Sequence, residues 1–386
     1  MKIAIYAGMF KEDQDGSTKT LYRLTDTLLN QGFEVGIWAF ASTPLCRQRL
    51  TVFTIPSLPL PLYPDYRISL PLPRVRKQLT RFRPDVIHIT VPDFAGLQMT
   101  RFAGKRGIPV ITSYHTDYPS YLRTYHLQWC SRALWRYFRY FYNRSQAVLV
   151  PTHTMGHRLK SNGIGPVTVW GRGIHSGFFH PRNRSRDLRR QWKAVDRTVI
   201  LYCGRFVWYK ALNVFIEVYQ YFMETCPRKV RFVLAGDGPV AGELQSRMPE
   251  AVFTGYLRGR ALAKVYASSD IFLFPSATET FGNVVLEALA SGLPSVVSAV
   301  GGCREIVVRA GGGMVCPAGD SRAFYRACRS LMEDSQRYAH YRRNGIRHAR
   351  SQDWRQINMQ VINWYYRLVP RKRKRGLVEV PVMASK

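Results

Sequence analysis

Residues 275–294, PSATETFGNVVLEALASGLP, follow a short apolar run, IFLF, at positions 271–274. Such a run between turn residues is typical of a buried β-strand. From about Phe281 the apolar spacing becomes helical, and Gly292 followed by Pro294 is a stop signal just past a helix end. The stretch therefore predicts a strand, a loop and a helix N-terminus, where backbone N–H groups and the helix dipole bind anions.

Two carboxylates flank this predicted anion site, Glu279 in the loop and Glu287 in the helix. At a helical rise of about 1.5 Å per residue, their spacing places them too far apart to grip one atom. They suit the two ends of an extended ligand whose negatively charged middle lies at the start of the helix.

The whole string resembles the donor-site signature of the retaining glycosyltransferases of family 4, which have the GT-B fold. The resemblance implies that Glu279 faces the transferred sugar and that Glu287 holds the ribose hydroxyls of a nucleotide-diphosphate sugar. It also implies that the diphosphate lies against the intervening residues, Thr280, Phe281, Gly282, Asn283 and Val284.

The length and composition of the chain limit the classes of protein to which it can belong. At 386 residues it is long enough for two domains, and it has no apolar run of membrane-spanning length and no secretory signal. Seven cysteines without a CxxC pair or a Cys/His metal spacing indicate reduced thiols in a cytosolic protein. The net charge of +32 predicts an acidic partner: an anionic lipid surface, a nucleic acid or a phosphorylated substrate.

The first half of the chain begins like a Rossmann-type unit. Strands are predicted over residues 2–7 and 33–40, with a helix over 20–30 between them. In the loop before that helix, Gly16 and Ser17 match the family's glycine-rich turn, which the resemblance places near the leaving diphosphate. Asp13 and Asp15 form a DxD pattern that elsewhere binds metal, but their place after the first strand favours coincidence, and we expect no metal.

Two further strands, over residues 84–89 and 109–115, lead to polar residues at a sheet edge where ligands bind. His115 ends the second of these strands, beside Asp117. It matches the family's histidine that contacts the donor sugar near the reacting carbon. Asp93 and Asp117 are candidates either for acceptor-side polar groups or for loop caps.

The second half opens with a strand over residues 198–203 that ends in Gly204 and Arg205, with Lys210 five positions on. Two fixed cations stabilise charge that builds on a leaving diphosphate. The resemblance implies that Arg205 and Lys210 clamp this group beside Gly204, and that Leu257 contacts the base. Ala211 stands where the family often has glycine.

The predicted fold class is α/β, a GT-B arrangement of two Rossmann-like domains facing a central cleft. We expect an acceptor-binding domain over residues 1–180 and a nucleotide-sugar domain over 181–350. A helix over 351–370 then crosses back to the first domain, and a basic tail occupies 371–386.

Three surface segments leave alternatives open. Residues 54–73 are rich in proline, which predicts an irregular loop, either packed on its own domain or forming an apolar lip of an acceptor groove. Residues 121–144 interleave aromatics with arginines, as in a core-facing amphipathic helix or a helix at a membrane surface. Residues 183–197 are highly charged and suit an interdomain linker that leads into a helix. No nucleic-acid motif accompanies these segments, so we do not expect a nucleic-acid partner.

The predicted activity is retaining transfer of a hexose from a UDP- or GDP-linked sugar, without a cofactor. Similarity to sulfoquinovosyl- and mannosyl-transferases of lipids favours a membrane lipid or lipid-linked glycan as acceptor. The enzyme would then sit peripherally on the cytoplasmic face of the inner membrane. A soluble sugar or small-molecule acceptor, a nucleotide-sugar epimerase or sugar phosphorylase on the same fold, and a non-enzymatic basic binding protein are the alternatives.

Overall fold

Two β-sheets, each fully parallel, organise the computed structural model, which describes residues 1–10, 16–42, 48–60, 63–70, 73–124, 127–175 and 177–369. The strands of the first half are β1 (Lys2–Phe10), β2 (Glu34–Ser42), β3 (Leu50–Thr54), β4 (Ser57–Leu60), β5 (Tyr63–Ser69), β6 (Val86–Ile89), β7 (Val110–Ser113), β8 (Ala147–Val150) and β9 (Val167–Val169). Its helices are α1 (Gly16–Asn30), α2 (Pro73–Phe82), α3 (Phe94–Arg106), α4 (Tyr118–Thr124), α5 (Ser131–Tyr142) and α6 (His153–Ser161).

The second half repeats this alternation of strands and helices. Its strands are β10 (Thr198–Cys203), β11 (Val230–Ala235), β12 (Val252–Phe253), β13 (Ile271–Phe274), β14 (Ser295–Ser298) and β15 (Gly313–Cys316). Its helices are α7 (Arg186–Gln191), α8 (Leu212–Thr225), α9 (Ala241–Arg247), α10 (Gly259–Ser268), α11 (Asn283–Ala290), α12 (Gly302–Ala310), α13 (Ser321–Glu333), α14 (Ser335–Ser351) and α15 (Trp354–Leu368).

The order of strands creates a switch point in each sheet. The first sheet runs β3-β2-β1-β6-β7-β8-β9 and the second runs β12-β11-β10-β13-β14-β15. The order in which successive strands are added changes direction between β1 and β6 and between β10 and β13, and ligands of such sheets bind outside the carboxyl ends of the strands at these places. Strands such as β8 and β13 are buried along their whole length, because helices cover both faces of a parallel sheet.

The last helix, α15, returns to the first domain, as the sequence predicts. Ile357, Val361 and Tyr365 belong to the same hydrophobic cluster as the first strand and α1. Asn358 anchors the helix further, because its amide donates to the carbonyl of Arg23 and to Oγ1 of Thr27, over 3.0 and 2.9 Å. The α/β prediction of two Rossmann-like units with a returning helix is confirmed, whereas the boundaries at residues 180 and 350 stay a prediction.

The first predicted surface segment is more ordered than expected, and the charged segment 183–197 contains a helix, as predicted. β4 and β5, within residues 54–73, pair as an antiparallel hairpin, so the prediction of an irregular loop was wrong there. Proline removes only a donor, and the hairpin lies outside both main sheets, where that loss is tolerated. Within 183–197, α7 packs on the second domain through Arg189, whose Nη1 lies 2.8 Å from Oδ2 of Asp270.

The aromatic segment at 121–144 faces inward along its second half. Phe138, Phe141 and Tyr142 of α5 are buried in the core of the first domain, while the arginines of this helix are exposed. Of the two interpretations of this segment, the structure therefore supports the core-facing helix for these rings. The basic tail beyond residue 369 and the loop 11–15 lie outside the described residues.

One close approach near the cleft sets a test of the fold. Gly236 follows β11 at φ 148°, and a Cβ at this position would overlap the carbonyl oxygen of Gly204. We expect Gly236→Ala to lower the free energy of unfolding by about 1–3 kcal/mol in urea denaturation, because the strand ends must move apart. The control is Gly242→Ala in α9, where nothing lies within 4 Å and alanine favours the helix. Equal stability of the two variants would contradict the prediction.

Candidate active site

The loop between β13 and α11 is held in shape by the start of α12. The N–H of Gly302 donates to the carbonyl of Glu279 over 2.7 Å. A Cβ on Gly302 would lie 2.5 Å from the carbonyl oxygen of Thr280, so glycine permits this approach. Gly282 ends the loop at φ 101°, in the left-handed region, and α11 begins at Asn283. The structure thus has the strand, loop and helix N-terminus that the sequence predicts.

Both domains meet at this loop. The Thr280 hydroxyl donates to the carbonyl of His115 over 3.0 Å, and the hydroxyl of Thr152 donates to the carbonyl of Thr280 over 3.2 Å. Gly16, at the start of α1, lies so close to the Asn283 amide that a Cβ would overlap it. The N-termini of α1 and α11 therefore come together across the cleft, where both helix dipoles favour an anion.

Lys210 and Glu279 form an ion pair beside the loop, with Nζ donating to Oε1. Burial by itself lowers the pKa of Lys210, but the Glu279 carboxylate outweighs it and the pKa is raised. The ammonium group is therefore fixed in its charged form. Ala211, next in the chain, has φ 57°, a left-handed backbone that explains why glycine suits this position.

Glu287 is the fifth residue of α11 and is buried, with 8% of its surface exposed. The hydroxyl of Tyr266 donates to its Oε2 over 3.1 Å. Burial raises the pKa of Glu287, and the Lys19 charge and the Tyr266 hydrogen bond oppose that rise. Because Lys19 belongs to α1, the first domain contributes to the field at this carboxylate.

His115 lies just after β7, on the first-domain side of the contact. Its Nδ1 is 3.0 Å from Nη2 of Arg172. Burial, then the charge of Arg172 and the neighbouring His88, lower the pKa of His115 well below its ordinary value. The imidazole is therefore neutral at physiological pH. The structure brings His115 together with the donor loop, as the resemblance implies.

The two acceptor-side candidates make hydrogen bonds within the first domain. Asp93 caps α3 by accepting from the N–H of Gly96, and it also accepts from the hydroxyl of Tyr6 over 2.7 Å. Asp117 is buried and pairs with Arg158 over 2.6 Å. The sequence left two roles open, and for Asp93 the structure shows the partners of a cap. An acceptor-binding role for Asp93 or Asp117 stays a prediction.

The other predicted residues lie at varied distances from this centre. Gly204 follows β10 with φ 157°, and Arg205 after it is exposed. Leu257 is half-buried against the core of the second domain. The side chain of Ser17 lies outside the described residues, as do Asp13 and Asp15. Within the described ranges, no group of three or more His, Cys, Asp or Glu side chains is placed to hold a metal ion.

Sequence reasoning missed four residues that shape the site. Tyr266 and Lys19 act on Glu287, Arg172 acts on His115, and Glu305 joins the domains. Arg172 and Glu305 belong to glycine-rich sequences, GRG at 171–173 and GGCRE at 301–305, which indicate close packing but do not identify a partner. Nothing in the local sequence marks Lys19 or Tyr266.

Glu305, in α12 of the second domain, caps α6 of the first. Its carboxylate accepts from the N–H groups of His153 and Thr154 over 2.9 and 2.8 Å, and from the Thr154 hydroxyl over 2.9 Å. Burial raises the pKa of Glu305, but these hydrogen bonds lower it by more, so the net shift of the pKa is downward. The contact is therefore stabilising above the ordinary carboxyl pKa of 4.5 and is lost as the pH falls through the folded-state value.

The buried position of Glu287 sets a first test of the site. A carboxyl whose pKa is raised on folding stabilises the fold at low pH and loses that contribution as the pH rises. We expect Glu287→Gln to raise the melting temperature of the ligand-free protein at pH 7.5, with the gain shrinking toward pH 4. Exposed Glu224→Gln in α8 is the control. A lower melting temperature for Glu287→Gln at pH 7.5 would show that its ionised form is stabilised instead.

The interdomain cap sets a second test. We expect Glu305→Ala to lower the free energy of unfolding by about 1 kcal/mol and to enlarge the radius of gyration in small-angle X-ray scattering. The matched variant is Glu333→Ala, which removes an exposed carboxylate paired only within its own helix. Identical scattering from both variants would mean that Glu305 does not hold the domains together.

Comparisons with known proteins bear on what this site belongs to. Residues 197–334 match the family described as glycosyl transferases group 1, and residues 14–178 match Glycosyltransferase Family 4. A GDP-mannose-dependent alpha-mannosyltransferase of Mycobacterium tuberculosis is 31% identical over 88% of this chain and 90% of its own length. The sulfoquinovosyl transferase SQD2 of Arabidopsis thaliana is 31% identical over 80% of this chain and 62% of its own.

Solved structures share the fold. Sucrose-phosphate synthase from Thermosynechococcus elongatus superposes with a TM-score of 0.77 at 19% identity, covering 95% of this chain and 98% of that one. Anabaena Alr3699/HepE in complex with UDP has the same TM-score at 21% identity, covering 95% and 100%. With relatives that match nearly end to end, and with two facing Rossmann-like domains, this chain belongs to glycosyltransferase family 4 and is a hexosyltransferase of the GT-B fold.

Proposed function

We propose that this glycosyltransferase moves a mannosyl group from GDP-mannose to a hydroxyl of a membrane lipid, with retention of configuration. The observation that carries the donor class is the meeting of the α1 and α11 N-termini beside Lys210 and the two glutamates. Mannose and guanosine are supported by the relatives named for GDP-mannose, which match most of the chain. A UDP-linked hexose is the alternative donor.

In this proposal the cations and the helix N-termini bind the diphosphate. Lys210 and Arg205 stabilise the charge that grows on the leaving phosphate oxygens, and they do so more in the transition state than in the ground state. Because Lys210 is paired with Glu279 in the structure, an arriving diphosphate shares that ammonium group with the carboxylate. Glu287 accepts hydrogen bonds from the ribose hydroxyls, with Tyr266 holding its carboxylate in place.

The reaction itself takes place between the loop and His115. Glu279 orients the sugar hydroxyls while the bond between the anomeric carbon and the phosphate oxygen breaks. The acceptor hydroxyl attacks the same face of the sugar, and a donor phosphate oxygen receives its proton. Arg205 and Lys210 neutralise the negative charge that the leaving diphosphate gains on this route.

The acceptor is proposed from relatives and from the surface. Relatives include a phosphatidylinositol dimannoside mannosyltransferase and an alpha-monoglucosyldiacylglycerol synthase. The exposed large apolar side chains of the first domain include Leu58 at 58%, Phe94 at 58% and Trp129 at 77%. Phe94 begins α3 two residues after Pro92, and the Pro92 carbonyl accepts from the Tyr137 hydroxyl of α5, so these two helices meet there. No described helix is long and apolar enough to cross a bilayer. From the lipid-directed relatives, the net positive charge and these exposed apolar side chains, we propose peripheral binding to the cytoplasmic face.

Donor binding is the first test. We expect GDP-mannose to raise the melting temperature of the wild type and of Glu224→Ala, and UDP-glucose to do so far less. At a hundredfold excess over Kd the gain corresponds to about 2.7 kcal/mol. Glu287→Ala should lose the gain, because the ribose loses its acceptor. A shift with UDP-glucose alone would overturn the GDP assignment, and no shift with either donor would contradict the proposed site.

Acceptor class is then read from product formation. Radiolabelled GDP-mannose is incubated with vesicles containing phosphatidylinositol, with vesicles containing diacylglycerol, and with soluble sugars. Label in a lipid product supports the proposal, and label only in soluble product contradicts it. An incubation with donor alone exposes an epimerase, and one with inorganic phosphate exposes a phosphorylase.

A further inference from the structure

Arg172 is a buried cation next to the candidate active site. It follows β9, and only 4% of its surface is exposed. Its Nη1 donates to the carbonyls of Trp170 and Gly171 over 2.8 and 3.1 Å, and the guanidinium carbon lies 5.1 Å from the centre of the Trp170 ring. Among the described residues, no carboxylate pairs with it. Such a charge is expensive to bury, which suggests a role beyond packing.

The remaining contact of Arg172 determines where the proton of His115 lies. Nη2 of Arg172 is 3.0 Å from Nδ1 of His115. A guanidinium group only donates hydrogen bonds, so Nδ1 must accept and carries no proton. A neutral imidazole then carries its proton on Nε2. The geometry alone selects this tautomer.

Nε2 of His115 is buried and has no hydrogen-bond partner among the described residues. Buried N–H groups nearly always have a partner, and one without a protein partner is the kind of group that a bound ligand satisfies. His115 also stands at the contact with the donor loop, since its carbonyl accepts from the Thr280 hydroxyl. The residue that carries this unpaired N–H therefore lies at the contact between the two domains.

We propose that Arg172 is a positioning residue, which holds His115 in the neutral Nε2–H form so that it donates a hydrogen bond to the bound sugar. That the ligand is a sugar rests on the proposed function. The physical reason concerns charge, because positive charge develops at the anomeric carbon when the sugar–phosphate bond breaks. A neutral donor binds a sugar hydroxyl without adding repulsion, whereas an imidazolium would raise the barrier.

The surroundings of His115 maintain that neutral state. Arg172 faces it from the segment after β9, and His88 faces it from β6. Burial lowers the pKa of His88 to about 3, so His88 stays uncharged. The ring of Trp170 packs against both histidines, at 5.9 Å from His88 and 5.8 Å from His115. Without the guanidinium group, Nδ1 loses its donor and the imidazole accepts a second proton more easily.

The direct test reads the tautomer by NMR of the full chain labelled with 15N-histidine, with His115→Gln to assign the signals. In the wild type we expect one protonated nitrogen, Nε2, and no titration between pH 5.5 and 8. Arg172→Lys keeps a donor and should preserve that pattern. Arg172→Met should mix the tautomers and move the titration upward. An Nδ1–H tautomer in the wild type, or a folded Arg172→Met with an unchanged spectrum, would overturn the proposal.

Activity gives a second readout. With GDP-mannose and lipid vesicles, Arg172→Met should lower kcat on the order of 10²-fold with little change in KM, and more strongly at pH 6 than at pH 8. Arg172→Lys should recover part of the loss, and exposed Arg190→Met should behave as wild type. A loss independent of pH and not rescued by lysine would indicate a purely structural role. The NMR test needs no substrate, so it stands apart from any failure of the proposed donor.

Discussion

The two hydrogen bonds of Thr280 tie the donor loop of the second domain to the first domain. Its hydroxyl reaches the carbonyl after β7, and its own carbonyl accepts from the N-cap of α6, so one residue of the second domain is tied to two strand ends of the first. The loop that carries Thr280 is supported from behind by Gly302. If the loop moved, the positions of Glu279, His115 and the helix N-termini relative to one another would all change.

Acidic side chains are scarce in this chain, and many of them serve inside it. Asp270 binds two arginines of the segment that enters the second domain, Asp117 binds Arg158, and Glu305 binds the backbone across the interface. The cations that remain are mostly exposed. The surface is therefore strongly basic for two reasons: arginine and lysine are in surplus, and many carboxylates are engaged in internal contacts.

The sequence predicts the frame of the site better than its contacts. The string at 275–294 locates the loop and helix because turn residues and apolar spacing act locally. The contacts of Glu287 with Tyr266 and of His115 with Arg172 join positions far apart in the chain, and only the folded sheet order brings them together. The hairpin at β4 and β5 was missed because proline density outweighs strand pairing in local reasoning. Asp93 could not be assigned because a cap and a ligand-binding residue have the same side chain.

The returning helix α15 means that the first domain is built from two separate pieces of chain. Side chains of α15 pack into the core made by the first strands, and the Tyr365 hydroxyl lies 2.6 Å from Nδ1 of the buried His88 in β6. A chimaera that exchanges donor halves between two family members must therefore be spliced at two points. The N-terminal segment and the closing helix have to come from the same parent, because otherwise a borrowed helix meets a core for which it was not shaped.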